Sequence, residues 1–145
     1  MNAYDEYMKQ IVVPMRQELT QHGFKELISI EEVNEHMTTA KGTSFIVINS
    51  VCGCAAGLAR PAAIEAISQL EVKPEHLVTV FAGQDADATA QMREYFADVP
   101  PSSPSMAIWK DGELAYFIPR EQIENHPKDA IKEHIQGALS QIISS

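Results

Sequence analysis

The sequence is poor in cysteine and in basic residues, and it has no long apolar run. Its 145 residues include only 2 cysteines. There are 11 Lys and Arg residues and 20 Asp and Glu residues, which gives a formal net charge of -9. This acidic balance argues against a nucleic-acid partner, because affinity for a phosphate backbone depends on a basic surface. No stretch approaches the roughly 20 apolar residues of a transmembrane helix. The chain is long enough to bury a core without disulfide bonds.

The first residues also lack the features of a secretion signal. The segment MNAYDEYMKQ mixes acidic and basic side chains and has no continuous apolar core. We therefore expect a cytoplasmic protein, in which thiols are kept reduced and a cysteine pair is catalytic, redox-sensing or metal-binding rather than structural. No internal repeat or Gly/Ser-rich linker marks a boundary, so residues 1–145 are expected to form a single domain.

The apolar pattern predicts the element order α-α-β-α-β-α-β-β-α. Buried strands are predicted at residues 44–49 and 77–82, where β-branched and apolar residues run almost without interruption. Residues 105–110 and 113–118 flank an Asp-Gly pair, which is a strong hairpin signal. We therefore predict an α/β fold with a mixed central sheet, helices on both faces and an N-terminal helical extension, the arrangement of thioredoxin-like proteins.

The predicted helices carry their own start and stop signals. Pro14 lies inside the first helix and should kink or divide it. The second helix begins with a capping box formed by Ser29 and Glu32. The other helices are predicted at residues 55–70, after Asp85 or Asp87, and from near Pro127.

Both cysteines lie in the stretch VINSVCGCAAGLARP, at the junction of a strand and a helix. Cys52 falls where the first buried strand ends, and Cys54 falls where the next helix begins. Ligands and chemistry collect at the carboxyl ends of strands in open α/β sheets. A helix N-terminus stabilises a thiolate, which is the attacking form of cysteine, and Gly53 leaves access for an incoming disulfide. We therefore predict that Cys52 and Cys54 are catalytic.

The single-residue spacing disfavours a bond between the two cysteines. A disulfide prefers a Cα separation of about 4.4 to 6.8 Å and a dihedral of about 90°, and so small a ring should force departures from this geometry. An intramolecular bond should then be oxidising or seldom populated. We expect Cys52 to work largely through a mixed disulfide with its partner.

Other interpretations of the pair stay open. The thiols could be small buried hydrophobes, the two sulfurs could hold a soft ion such as Cu(I), or the protein could be an adaptor with inert thiols. Structural zinc needs a full set of N or S donors. The histidines show no ligand spacing with each other or with the cysteines, so no metal site is predicted, and each is expected to be a surface or capping residue. They are His22, His36, His76, His126 and His134.

A proline stands immediately before the predicted hairpin. The segment SPSMAIWKDGEL is similar to a segment of thioredoxin-like proteins in which a cis proline packs against the active-site cysteines and the backbone beside it pairs with the substrate. On this resemblance, Pro104 and Ser103 are predicted to belong to the site. The alternative is a plain strand-entry proline, and the sequence does not show which isomer is present.

Together these motifs resemble the bacilliredoxin family. The resemblance rests on the CGC strand end followed by AAGLARP, and on the segments VFAGQD, MREYF and PSSPS. It runs from the first helix to the last and covers nearly the whole chain. Members of this family are small thioredoxin-like proteins with a CGC active site, found in bacteria that use bacillithiol as their low-molecular-weight thiol.

The resemblance implies a thiol-disulfide oxidoreductase that removes bacillithiol from S-bacillithiolated cytosolic proteins. The family's nucleophile corresponds to Cys52 and its resolving or auxiliary cysteine to Cys54, with Gly53, Ser103 and Pro104 as the expected substrate-binding positions. No bound cofactor is implied; bacillithiol is the co-substrate, and a flavin-dependent recycling reductase is a partner. A general disulfide isomerase or reductase is the alternative activity.

Arg60 follows the cysteine motif and has two interpretations. It could hold an anionic group of bacillithiol, or it could be an exposed helix arginine. The second is favoured, so Arg60 stays outside the predicted site.

Overall fold

A five-stranded mixed sheet lies at the centre of the protein, which the computed structural model describes over residues 3–144. Its strands are β1 (Lys25–Glu26), β2 (Thr43–Asn49), β3 (His76–Phe81), β4 (Ser105–Lys110) and β5 (Glu113–Ile118). They are ordered β1-β3-β2-β4-β5; β3 is parallel to both β1 and β2, and β4 is antiparallel to both β2 and β5. Every residue of β2 is buried, as expected of a central strand covered on both faces.

Helices cover both faces of this sheet. They are α1 (Ala3–Thr20), α2 (Ile30–Thr39), α3 (Arg60–Gln69), α4 (Ala86–Glu94) and α5 (Lys128–Ile143). Buried residues of α1, α3 and α5 form one core with Phe45 and Val47, whereas those of α2 and α4 form the other with Ile46 and Ile48. Successive residues of β2 therefore contribute to opposite faces. The predicted mixed sheet with helices on both faces and an N-terminal helix is confirmed.

None of the helices within residues 3–144 has both the length and the apolar character that spanning a membrane requires. The predicted domain bounds of 1–145 include residues 1, 2 and 145, which lie outside the described residues.

The predicted capping box of α2 and the predicted turn of the β4–β5 hairpin are both confirmed. Ser29 Oγ accepts the N–H of Glu32 at 3.1 Å, and the Glu32 carboxylate reaches back to accept the N–H of Ile28 at 2.8 Å. Asp111 and Gly112 have φ angles of 50° and 87°, the two positive values of a type I′ hairpin turn. Both features form as their residue types indicate.

Other details differ from the predicted pattern. The short edge strand β1 is not predicted, because its two residues are polar and show no periodicity. Asp85 precedes α4 without capping it through its side chain, since its carboxylate pairs with Arg16 at 2.7 Å. α1 continues through Pro14 as one helix.

The helix after the cysteines is also not uniform. Residues Ala55–Ala59 form a π-helical turn, in which the Arg60 N–H donates to the Ala55 carbonyl, before α3 continues. Pro61 is the second residue of α3, and because it has no N–H it cannot donate to a carbonyl of the preceding π-helical turn. The single helix predicted over residues 55–70 is therefore divided into two helical forms.

A pair of histidine rings lies at the end of the sheet opposite to the cysteines. The His36 and His76 rings meet edge to face with their centroids 5.2 Å apart. His36 Nε2 lies 2.9 Å from the Ser44 hydroxyl oxygen, and His76 Nε2 lies 3.0 Å from the Lys41 carbonyl oxygen. The pKa of His36 is lowered to about 4, mainly by burial and to a smaller extent by the positive charges of His76 and Lys25. His36 is therefore half-buried and not the surface residue that was expected.

We expect His36 to make the protein less stable in mild acid. The unfolded chain takes up a proton on His36 near its ordinary pKa of 6.5, whereas the folded protein does so near 4. The free energy of unfolding should therefore fall as the pH decreases from about 6.5 to about 4, with a contribution from His36 on the order of 1 kcal/mol after allowance for solvent contact.

Urea unfolding across this pH range measures the effect. His36→Gln should lose part of the pH dependence, whereas the control His22→Gln, which changes an exposed histidine, should keep it. Equal pH dependence in the wild type and His36→Gln would contradict the prediction.

Candidate functional site

The register of β2 and β4 brings the two predicted parts of the site to one edge of the sheet. The strands are antiparallel, and Ile48 is paired with Ser105. The end of β2, which leads to the cysteines, therefore lies beside the start of β4, which follows Pro104. Pro104 is buried, and the Ser103–Pro104 peptide bond is cis.

The two cysteines lie at the start of the helix that follows β2. Helical geometry begins at Gly53, and the Cys52 carbonyl accepts the N–H groups of Ala55 and Ala56 at 3.1 and 3.2 Å. Cys52 thus precedes the first helical residue, and Cys54 lies in the first turn. Both thiols are free and half-buried. A Cβ placed on the exposed Gly53 would meet no atom within 4 Å beyond its chain neighbours, so this position is open to an approaching molecule.

The surroundings of Cys52 favour its thiolate. Burial is the largest influence and raises the pKa of the Cys52 thiol. Hydrogen bonds from the Ala55 N–H, the Ser50 hydroxyl and the Cys54 N–H lower it. The positive charge of Arg120 adds to this lowering, and the net result is a pKa below the ordinary value for cysteine. Because a thiolate attacks disulfides, this environment suits Cys52 to nucleophilic attack.

A buried network fixes the end of β2. Arg60 is only 2% exposed. Its Nη1 donates to Asn49 Oδ1 at 2.7 Å and to the Ser50 carbonyl at 2.9 Å. Its Nε pairs with a carboxylate oxygen of Glu18, on α1, at 2.7 Å. The interpretation of Arg60 as an exposed helix residue is therefore wrong, and its buried guanidinium is not available to hold an anionic substrate group.

Arg120 is a site residue that sequence reasoning missed. It begins a short 3₁₀ turn, Arg120–Gln122, after β5, and 42% of its side chain is exposed. Its N–H donates to Ser102 Oγ at 3.3 Å, and its Nη1 donates to the Ser103 carbonyl at 3.4 Å. These contacts attach Arg120 to the loop that carries the cis proline.

Electrostatic interactions also connect Arg120 to the cysteines. The carboxylate of Glu124 is the largest influence that raises the pKa of Arg120, and the thiolates of Cys52 and Cys54 raise it further. The guanidinium accordingly stabilises negative charge on Cys52. No signal in the sequence indicates this, because Arg120 is far from the cysteine motif along the chain.

The described residues offer little to a metal ion. Within residues 3–144, no group of three or more His, Cys, Asp or Glu side chains is arranged to hold one. The paired rings of His36 and His76 each have their Nε2 atom in a hydrogen bond. The soft-ion interpretation therefore rests on the two sulfurs alone.

The chain is similar to known proteins over nearly its whole length. A family model described as Disulphide isomerase matches residues 7–143. The bacilliredoxin of Bacillus licheniformis is 61% identical over 137 residues, which cover 94% of this chain and 95% of the relative. The chain belongs to the bacilliredoxin family. The bacilliredoxin of Geobacillus kaustophilus is 58% identical, and the match covers 94% of this chain and 94% of the relative. The bacilliredoxin of Bacillus cereus is 57% identical, and the match covers 95% of this chain and 96% of the relative.

Solved structures of low sequence identity share the fold. A protein with a thioredoxin fold superposes with a TM-score of 0.62 at 16% identity, covering 84% of this chain and 95% of that chain. Oxidised thioredoxin from Plasmodium falciparum superposes with a TM-score of 0.52 at 16% identity. The match covers 84% of this chain and 96% of the thioredoxin chain. This bacilliredoxin-family protein therefore has a thioredoxin fold, and family and fold together support an oxidoreductase role.

The charge of Arg120 gives a first test of the site. We expect Arg120→Gln to raise the pKa of Cys52 and to slow its alkylation by iodoacetamide about twofold at about pH 7, because a stabilising positive charge is lost. The effect should shrink in high salt, since exposed charges are screened. Lys41→Gln removes an exposed positive charge just before β2, at the opposite end of the strand, and should leave the rate unchanged. Wild-type alkylation rates in Arg120→Gln at low salt would show that Arg120 does not act on Cys52.

Proposed function

We propose that this protein is a thiol-disulfide oxidoreductase that removes bacillithiol from S-bacillithiolated proteins in the cytoplasm. One observation carries the proposal: Cys52 is a half-buried free thiol whose neighbouring donors and cation favour the thiolate. The bacilliredoxin names of its relatives support bacillithiol as the small thiol that is exchanged.

The first step exchanges one disulfide for another. The Cys52 thiolate attacks the bacillithiol sulfur of the client's mixed disulfide, and the client's S–S bond breaks as the new S–S bond forms. The client cysteine leaves as a thiolate and takes up a proton, while bacillithiol stays on Cys52. The client is reduced as Cys52 is oxidised, so this step needs no other electron donor.

A second thiolate regenerates Cys52. The thiolate of free bacillithiol attacks the bacillithiol sulfur carried on Cys52; the S–S bond to Cys52 breaks, Cys52 becomes a thiolate again, and bacillithiol disulfide leaves. A flavin-dependent reductase then supplies the two electrons that return this disulfide to two thiols. Attack by Cys54 is the other route, but the small ring that it would close disfavours that bond. We therefore assign Cys54 an auxiliary role, with bacillithiol as co-substrate and no bound cofactor.

The substrate is proposed to approach past Gly53 and beside the cis-proline loop. Gly53 has no side chain to obstruct the thiols, and Ser103 and Pro104 precede β4 at the same edge of the sheet. Arg120 is partly exposed, and its guanidinium donates to the Ser103 carbonyl. We assign to Arg120 the pairing with an anionic group of bacillithiol that the buried Arg60 cannot provide.

Replacing the two cysteines separately tests the mechanism. Cys52→Ser should slow the release of bacillithiol from a bacillithiolated client peptide at least about a hundredfold, because a serine hydroxyl cannot replace the thiolate. With free bacillithiol present, Cys54→Ser should keep at least about half of the wild-type rate. Mass spectrometry of the peptide measures both rates. A fully active Cys52→Ser protein would refute the mechanism, and an inactive Cys54→Ser protein would refute the auxiliary role.

A general disulfide isomerase or reductase is the second candidate, because the matching family model is described as Disulphide isomerase. Refolding of a test protein with scrambled disulfides measures that activity. The proposal requires Cys52-dependent bacillithiol removal to be the faster reaction at equal enzyme concentration. Faster isomerisation would make isomerase the primary function.

The soft-metal alternative is tested by elemental analysis. Protein purified under reducing conditions should contain no stoichiometric copper if Cys52 serves as a nucleophile. Stoichiometric Cu(I) that is lost in both Cys52→Ser and Cys54→Ser would favour the metal-binding function.

A further inference from the structure

Arg60 is a buried cation that the proposed reaction does not use. Only 2% of the residue is exposed. A buried guanidinium is unfavourable unless its N–H groups and its charge are matched by partners, so its partners indicate what it does. They are Glu18, Asn49 and Ser50. Two of the three lie in the segment that leads directly to Cys52.

Hydrogen bonds connect Arg60 to this segment. Asn49 Oδ1 accepts from Arg60 Nη1 at 2.7 Å and from the Ser50 N–H at 2.8 Å. Arg60 Nη1 also donates to the Ser50 carbonyl at 2.9 Å. The backbone of Ser50 is therefore held at its N–H through Asn49 and at its carbonyl by Arg60 itself.

The Ser50 hydroxyl continues the network to the nucleophile. Ser50 Oγ accepts the backbone N–H of Cys52 at 3.2 Å. The same hydroxyl donates to the Cys52 thiolate and lowers the pKa of the thiol, opposing the larger effect of burial. The direction of this hydroxyl depends on the Ser50 backbone, and Ser50 is itself buried.

We propose that Arg60 is a positioning residue for Cys52: by holding Asn49 and the backbone of Ser50, it fixes the Ser50 hydroxyl beside Cys52. The ion pair with Glu18 offsets the charge of Arg60, so Arg60 acts through the position of Ser50 and not through its own field. The inference rests on the proposed role of Cys52 as the nucleophile.

The geometry requires a guanidinium group. Nε donates to Glu18 on α1, whereas Nη1 donates to the end of β2. A lysine ammonium keeps the charge but has a single nitrogen, which cannot take both positions. Arg60→Lys therefore separates the effect of charge from the effect of geometry.

The test measures the titration of Cys52 in the full-length Cys54→Ser protein, in which it is the remaining thiol. The rate of alkylation by iodoacetamide is followed against pH. Ser50→Ala should lower the rate at about pH 7 by about threefold to tenfold. Arg60→Gln and Arg60→Lys should lower it in the same direction. Adding Arg60→Gln to Ser50→Ala should change the rate little, because both changes act through one hydroxyl.

A control variant distinguishes an effect on the position of the Ser50 hydroxyl from a general loss of protein stability. It is needed because replacing a buried arginine also destabilises the folded protein. Val33 is fully buried on α2, in the core on the other face of the sheet. Val33→Ala should lower the thermal midpoint and leave the Cys52 titration unchanged. If Arg60→Gln does not fold, the comparison is made with Arg60→Lys, which keeps the buried charge.

Two results would overturn the inference. One is a wild-type Cys52 titration in a folded Arg60→Gln or Arg60→Lys protein. The other is an effect of Arg60→Gln that adds in full to that of Ser50→Ala, which would mean that Arg60 acts independently of the hydroxyl. Alkylation involves no bacillithiol, so these results are distinct from a failure of the proposed substrate in the client assay.

Discussion

Removing a thiolate from water disfavours its charge, and burial accordingly acts to raise the pKa of Cys52. A nucleophile placed at the edge of a sheet therefore needs compensating groups. The chain supplies backbone N–H groups from the first helical turn, the hydroxyl of Ser50 from the strand end, and the charge of Arg120 from the turn after β5. Each comes from a different part of the fold. The reactivity of this thiol consequently depends on the assembled tertiary structure, which a CxC spacing alone does not provide.

The central strand makes this assembly possible. β2 is buried along its whole length and pairs with β3 on one side and β4 on the other. Its antiparallel register with β4 places the cis proline at the cysteine edge. Arg60 joins the same strand end to α3, and through Glu18 to α1. The N-terminal helix thereby supports the candidate site as well as covering one face of the sheet.

Most of the fold could be predicted because its elements carry local signals. The β-branched run of β2 indicates a buried strand, and Asp111 and Gly112 indicate the turn of the hairpin. The order of these elements brings the cysteine and proline segments together. Arg120 could not be found in this way, because it reaches the cysteines only through the turn after β5, and spatial proximity of that kind leaves no periodicity. The same holds for His36, whose pKa is lowered mainly by burial and to a smaller extent by the charges of His76 and Lys25.

The π-helical turn before Arg60 changes the helical phase at which this buried residue lies. The π-helical turn at Ala55–Ala59 adds one residue to the turn before α3. Each residue of an α-helix advances by about 100°, so every side chain after the turn is rotated by about that angle relative to a regular helix that starts at the cysteines. Arg60 is the first residue of α3, and it faces the end of β2 instead of solvent. In a regular helix that starts at the cysteines, residue 60 would be rotated by about 100° from its present orientation. The added residue and the buried arginine are therefore two parts of one arrangement, which joins the helix behind the thiols to the strand in front of them.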